Sequence, residues 1–129
     1  MEITIGQLLL IGFAGMVGTL SRYVISGWLD SKVGQVFPAG TLVVNLTGCL
    51  LAGFLFHTLT EKYLVAPVVR TSVLVGFLGG YTTFSAYAVQ SLTWLREGNL
   101  FMAAVSIVGS NAGGLLLAWL GYSLSRTIK

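Results

Sequence analysis

The chain has 129 residues, 55% of them hydrophobic and only 9% charged, with seven Lys or Arg against four Asp or Glu and a formal net charge of +3. A soluble domain carries about a quarter charged residues, so this composition excludes a water-soluble globule and predicts a membrane protein. The cations are scattered at the ends of apolar runs, the pattern of interfacial anchoring, and no basic patch suggests a nucleic-acid partner.

Residues 3–21, 33–60, 71–95 and 98–125 contain no Asp, Glu, Lys or Arg. Each run is long enough for the ~20 residues that cross a hydrocarbon core. The expected fold class is all-α integral membrane, a single four-helix transmembrane domain over residues 1–129. The predicted helices cover roughly 3–29, 39–60, 67–95 and 99–125, with short loops at Asp30–Pro38, Glu61–Ala66 and Arg96–Asn99. The first run is not expected to be a cleavable signal peptide, because Glu2 stands where a basic region would.

On the first helix, Gly18, Arg22 and Ser26 share a face at i, i+4 and i+8. Arg22 reads either as an anchor snorkelling to the interface or as a vestibule cation that draws anions inward. On the second helix Thr41 and Asn45 share a face continued by Gly48 and Ala52. A buried amide needs partners. Asn45 either joins helices or lines a polar path, where its two donors suit an anion. Cys49, the one cysteine, reads as a small buried hydrophobe.

The third run holds the least ordinary stretch, Gly79-Gly80-Tyr81-Thr82-Thr83-Phe84-Ser85-Ala86-Tyr87. Polar or broken backbone at membrane depth survives only where it faces protein, an ion or a water-filled path. Its two glycines read as a break in the helix. Phe84 and Tyr87 share a face and read by default as packing; beside the hydroxyls of Thr82, Thr83 and Ser85, the alternative is that their ring edges, the positive rim of an aromatic, help hold a small anion. On the fourth helix Ser106, Ser110 and Gly114 form a stripe, while Asn111 sits about 100° away. Gly109 with Gly113, and Gly114 with Ala118, are small pairs that permit close contact within or between protomers. His57 falls at a span end and receives no role. Trp28, Trp94 and Trp119 fall near span ends, as interfacial belts require.

The span interiors contain no acid, which disfavours proton-coupled or cation transport. No nucleophile with a base and no Cys/His cluster is present, so an enzyme is not expected. The neutral donors suit a small hydrated anion, since they replace water without holding the ion too tightly. Four cations (Lys62, Arg70, Arg126 and Lys129) fall on one side and three (Arg22, Lys32 and Arg96) on the other. So weak a bias predicts insertion both ways, and hence an antiparallel, dual-topology homodimer.

Across the whole chain, three motifs resemble the Fluc or CrcB family of small bacterial fluoride channels. They are Gly15-x-x-Gly18-x-x-x-Arg22-Tyr23, Gly40-Thr41-Leu42-Val43-Val44-Asn45-x-x-Gly48, and Gly76-Phe77-x-Gly79-Gly80-x-Thr82-Thr83-Phe84-Ser85. The resemblance implies a dual-topology homodimer in the bacterial inner membrane with two fluoride pores, each lined by both subunits. It implies passive export of cytoplasmic fluoride. It implies a structural Na⁺ held by backbone carbonyls of Gly79 and Thr82, and a pore with Asn45 as donor and an aromatic pair at Phe84 and 87. Ser106 and Ser110 would form a polar track, and Arg22 and Thr41 match vestibule and pore-region positions. The chain departs from the family where Tyr87 replaces the usual Phe and where Gly114 replaces an expected hydroxyl. The competing readings are a small dual-topology multidrug antiporter, which needs a carboxylate in the first span that is absent here, and a non-transporting assembly factor.

Overall fold

The computed structural model describes residues 3–33 and 39–128. Among these residues four helices are long and apolar enough to cross a membrane: α1 (Ile5–Val33), α2 (Ala39–Lys62), α3 (Pro67–Arg96) and α4 (Leu100–Thr127). The chain is therefore an all-helical, multi-pass membrane protein, and the four expected spans are present, each running further at its C-terminal end. α1 runs on through Asp30 and Lys32, so residues 30–33 of the predicted first loop are helix. Residues 34–38, like Glu2 and Lys129, lie outside the described residues. The extension has a physical basis: the Asp30 carboxylate accepts the Gly40 N–H at 2.8 Å, satisfying a free donor at the start of α2. At the other hairpins, Leu64 takes a left-handed φ of 48° and Gly98 one of 73°. Gly adopts that conformation freely, whereas Leu does so at a cost. Asn99 then caps α4 by accepting from Met102 N–H.

α1 packs on residues 72–81 of α3 and on α2, while α2 lies along α4, and Phe84–Arg96 packs against the start of α4. Small residues set the α2–α4 distance. A methyl group on Gly53 would land on the carbonyl oxygen of Ala118, and one on Gly121 on that of Leu50. Gly113 and Gly114 likewise receive Leu46 and Cys49 from α2, so these small pairs make contacts within the protomer. Most of the remaining apolar surface faces outward. In α1 only Gly18 is buried among the described residues, as suits a helix whose solvent is lipid.

α3 is broken at its centre, as expected, but its glycines are not the break. Residues 78–81 are helical. The extended residues are Thr82 (φ −87°, ψ 157°) and Thr83 (φ −145°, ψ 118°). β-Branched side chains suit extended backbone. Gly80 instead permits close approach, because a Cβ there would strike the Gly15 carbonyl oxygen of α1.

Candidate functional site

The break is held open by side chains that take over backbone hydrogen bonds. Asn45 Nδ2 donates to the Thr83 carbonyl at 2.9 Å, and Asn45 Oδ1 accepts the Thr83 N–H at 2.8 Å. In a continuous helix that N–H would bond the Gly79 carbonyl. Thr83 Oγ1 accepts the Ala86 N–H at 3.3 Å, capping the second half of α3. A continuous helix would give that N–H to the Thr82 carbonyl. The carbonyls of Gly79 and Thr82 are thus both released from their regular donors.

Three further contacts fix the junction. Arg22 Nε donates to the Gly80 carbonyl at 3.1 Å, placing a cation at the negative end of a helix dipole. Arg22 therefore ties α1 to the break, a partner its position in the sequence did not reveal. Tyr81 is 6% exposed and stacks on Phe77, with centroids 5.9 Å apart. Its hydroxyl meets Thr47 Oγ1 at 2.9 Å. Because Thr47 gives its hydrogen to the Val43 carbonyl, Tyr81 is the donor in that contact. The Thr82 hydroxyl turns back onto the Leu78 carbonyl at 2.9 Å.

An open groove of about 700 Å³ runs along α2, α3 and α4. Asn45, Gly79, Thr82, Thr83, Phe84, Tyr87, Ser110 and Asn111 line it, with Phe56 and Tyr122 among its apolar and far-end walls. Phe84 is 77% exposed, and its ring lies 5.3 Å from that of Tyr87 at a 57° tilt. A second, small pocket of about 10 Å³ is lined by Thr41, Leu42, Tyr87, Gln90, Trp94, Ser106 and Ser110. There Gln90 Nε2 donates to Thr41 Oγ1 at 3.0 Å, and Ser106 shares a 2.8 Å hydrogen bond with Ser91.

Of the residues expected from sequence, Asn45, Gly79, Thr82, Thr83, Phe84, Tyr87 and Ser110 meet in the groove. Thr41 and Ser106 belong to the small pocket, with Ser110 and Tyr87 shared. Ser85 lines neither; its hydroxyl lies 3.4 Å from that of Thr83. Arg22 stands behind the junction. Sequence reasoning missed Gln90, Ser91, Tyr81 and Thr47, and passed over Asn111. Gln90 carried a signal, since Thr83, Tyr87 and Gln90 fall at i, i+4 and i+7 on one helical face. Electrostatically the site is neutral, and every side-chain polar group named in the two cavities is uncharged.

The family described as "CrcB-like protein, Camphor Resistance (CrcB)" matches residues 9–122. A Nitrosococcus oceani protein named "Fluoride-specific ion channel FluC" is 41% identical over 118 residues, covering 92% of this chain and 94% of its own. Proteins of the same name from Solibacter usitatus and Trichormus variabilis are each 40% identical. They cover 92% and 95% of this chain and 97% and 90% of their own lengths. These relatives are ion channels rather than enzymes. This chain belongs to the CrcB family.

Proposed function

We propose that this chain is a fluoride-selective channel that lets cytoplasmic fluoride leave the cell passively. The observation that carries this reading is the ring of neutral donors around the broken α3: an anion meets hydroxyls, an amide and ring edges, with no fixed charge to trap it. The named relatives support fluoride as the ion.

The working unit in this proposal is an antiparallel homodimer in the bacterial inner membrane, with two pores. The groove of about 700 Å³ is open on one side, and a second copy would close it into a conduit walled by both subunits. The inside-negative potential then drives the anion outward. Asn45 has a narrower role than a free pore donor. One hydrogen of its amide goes to the Thr83 carbonyl, so a single N–H remains for the ion. The released carbonyls of Gly79 and Thr82 have the chemistry of hard-cation ligands, and they are the groups that would hold a structural Na⁺ together with those of a partner. Na⁺ bound there would neutralise crowded carbonyl dipoles, while the chain's own Asn45 and Thr83 keep those oxygens from returning to the helix.

Purified protein in liposomes tests the reading. Fluoride efflux with little chloride efflux is the expected result; equal fluxes of the two anions would remove the selectivity claim, and no flux of either would remove the channel.

A further inference from the structure

Tyr87 and Ser110 line both cavities. They stand between the open groove and the small pocket beside Thr41 and Gln90. The hydrogens at this neck can be traced. Asn111 Nδ2 lies 2.7 Å from the Ile107 carbonyl oxygen. A carbonyl only accepts, so the amide must present its NH₂ group there. The same nitrogen lies 3.0 Å from the Tyr87 hydroxyl and directs its second hydrogen to it. The phenolic oxygen therefore accepts in this contact and retains its own hydrogen to give away. The ring that carries it is set against Phe84 at 5.3 Å.

We infer that the Tyr87 hydroxyl is a directed hydrogen-bond donor to the ion at the neck between the two cavities, with Asn111 as its positioning residue. The inference rests on the fluoride-channel reading and goes beyond it: a phenylalanine at 87 would offer only a ring edge, whereas this chain offers an O–H. Hydrogen bonds from hydroxyls to anions are short and strong, and an uncharged donor binds without the trapping that a lysine or arginine would cause. Asn111 acts at a distance from the ion. By donating to the phenolic oxygen it stops that hydroxyl from rotating toward the Asn111 side, and it makes the O–H a better donor through cooperative polarisation.

Tyr87→Phe and Asn111→Leu, singly and together, test this in liposomes over a series of fluoride concentrations, with size-exclusion profiles in detergent confirming that each protein folds. Asn111→Ala replaces Asn111→Leu should the larger side chain not be accommodated. Losing one charge-assisted hydrogen bond predicts a rise of about tenfold in the half-saturating fluoride concentration for Tyr87→Phe. Asn111→Leu should give a smaller rise alone, and none when Tyr87→Phe is already present, because neighbours that act as a unit are not additive. An unchanged half-saturation in Tyr87→Phe, while the unmodified chain conducts fluoride, overturns the donor role. Full additivity of the two substitutions overturns the positioning role. Failure of the unmodified chain to conduct fluoride at all overturns the channel reading, and is distinguishable from both.

Discussion

Asn45 spans the backbone of Thr83 with both ends of its amide, accepting the N–H at 2.8 Å and donating to the carbonyl at 2.9 Å. One side chain on α2 thus replaces the hydrogen bond a continuous helix would give the Thr83 N–H, and adds a second donor to a carbonyl that, at the N-cap, still opens the following helix. Asn45→Asp keeps the acceptor, and at a pH low enough to protonate the new carboxyl it also keeps a donor; once ionised, it sets a carboxylate against a carbonyl. Asn45→Leu loses both partners at any pH. Each orphaned group costs about 1–3 kcal/mol. At neutral pH both variants should therefore unfold at lower temperature than the parent in detergent, and acidification should narrow the deficit of Asn45→Asp but not that of Asn45→Leu. Thermal unfolding followed by size-exclusion checks this. Unchanged midpoints for both variants would show that the bridge does not hold the junction.

The adjacent glycines of α3 should respond in opposite ways to the same methyl group. A Cβ on Gly80 would meet the Gly15 carbonyl oxygen and lie 3.0 Å from Thr19 Oγ1, whereas one on Gly79 meets nothing within 4 Å. Overpacking of this kind costs about 1–3 kcal/mol. Gly80→Ala should therefore reduce the yield of monodisperse protein, and Gly79→Ala should not. Since Gly79 lines the groove, flux through Gly79→Ala reports on the space in front of it, where the partner copy would sit, with the protomer fold intact.

These two glycines also mark the limit of what is legible in the sequence. Four spans followed from where the charges are absent, and the position of the break followed from hydroxyls and glycines where lipid-facing residues would be expected. The agent of the break did not follow. Gly79 and Gly80 look like helix breakers in sequence, yet both are helical, and the break is made by Asn45, 38 residues away from Thr83. Such a long-range hydrogen bond leaves no periodic trace on either segment. Gln90 was missed, and Asn111 named without a role, for a related reason: an amide in a span looks the same whether it glues helices or faces a cavity, and only the neighbouring helix decides.

Thr83 offers a way to test cation binding through backbone atoms that cannot themselves be substituted. Its hydroxyl accepts the Ala86 N–H, keeping that donor from the Thr82 carbonyl. Thr83→Val preserves the shape and removes the acceptor. The Ala86 N–H then loses its cap, and the extended turn that presents the Thr82 carbonyl to the proposed Na⁺ site is held less firmly. Loss of such a cap costs about 1 kcal/mol. Fluoride flux should fall on prolonged Na⁺ removal in the parent, and Thr83→Val should need a higher Na⁺ concentration to restore it, while Thr83→Ser behaves as the parent. Full flux in verified Na⁺-free medium would count against a cation at this junction.

At the far end of α2 and α4, a second polar cluster should govern stability without touching conduction. Thr58 Oγ1 donates to the Phe54 carbonyl at 2.8 Å, so in its 2.6 Å contact with Ser125 Oγ it accepts. Ser125 has then spent its one hydrogen, and must accept from His57 Nδ1 at 2.8 Å. A chain of donors runs from His57 through Ser125 and Thr58 to the backbone, joining the two helices where Ser125 is only 2% exposed. Ser125→Ala removes the middle link and strands the His57 N–H and a lone pair of Thr58. A loss of about 1–3 kcal/mol in unfolding free energy is expected. The ratio of fluoride to chloride flux should be unchanged, because none of the three residues lines the groove or the small pocket. A shift in that ratio would mean that this end of the α2–α4 seam is coupled to the neck at Tyr87.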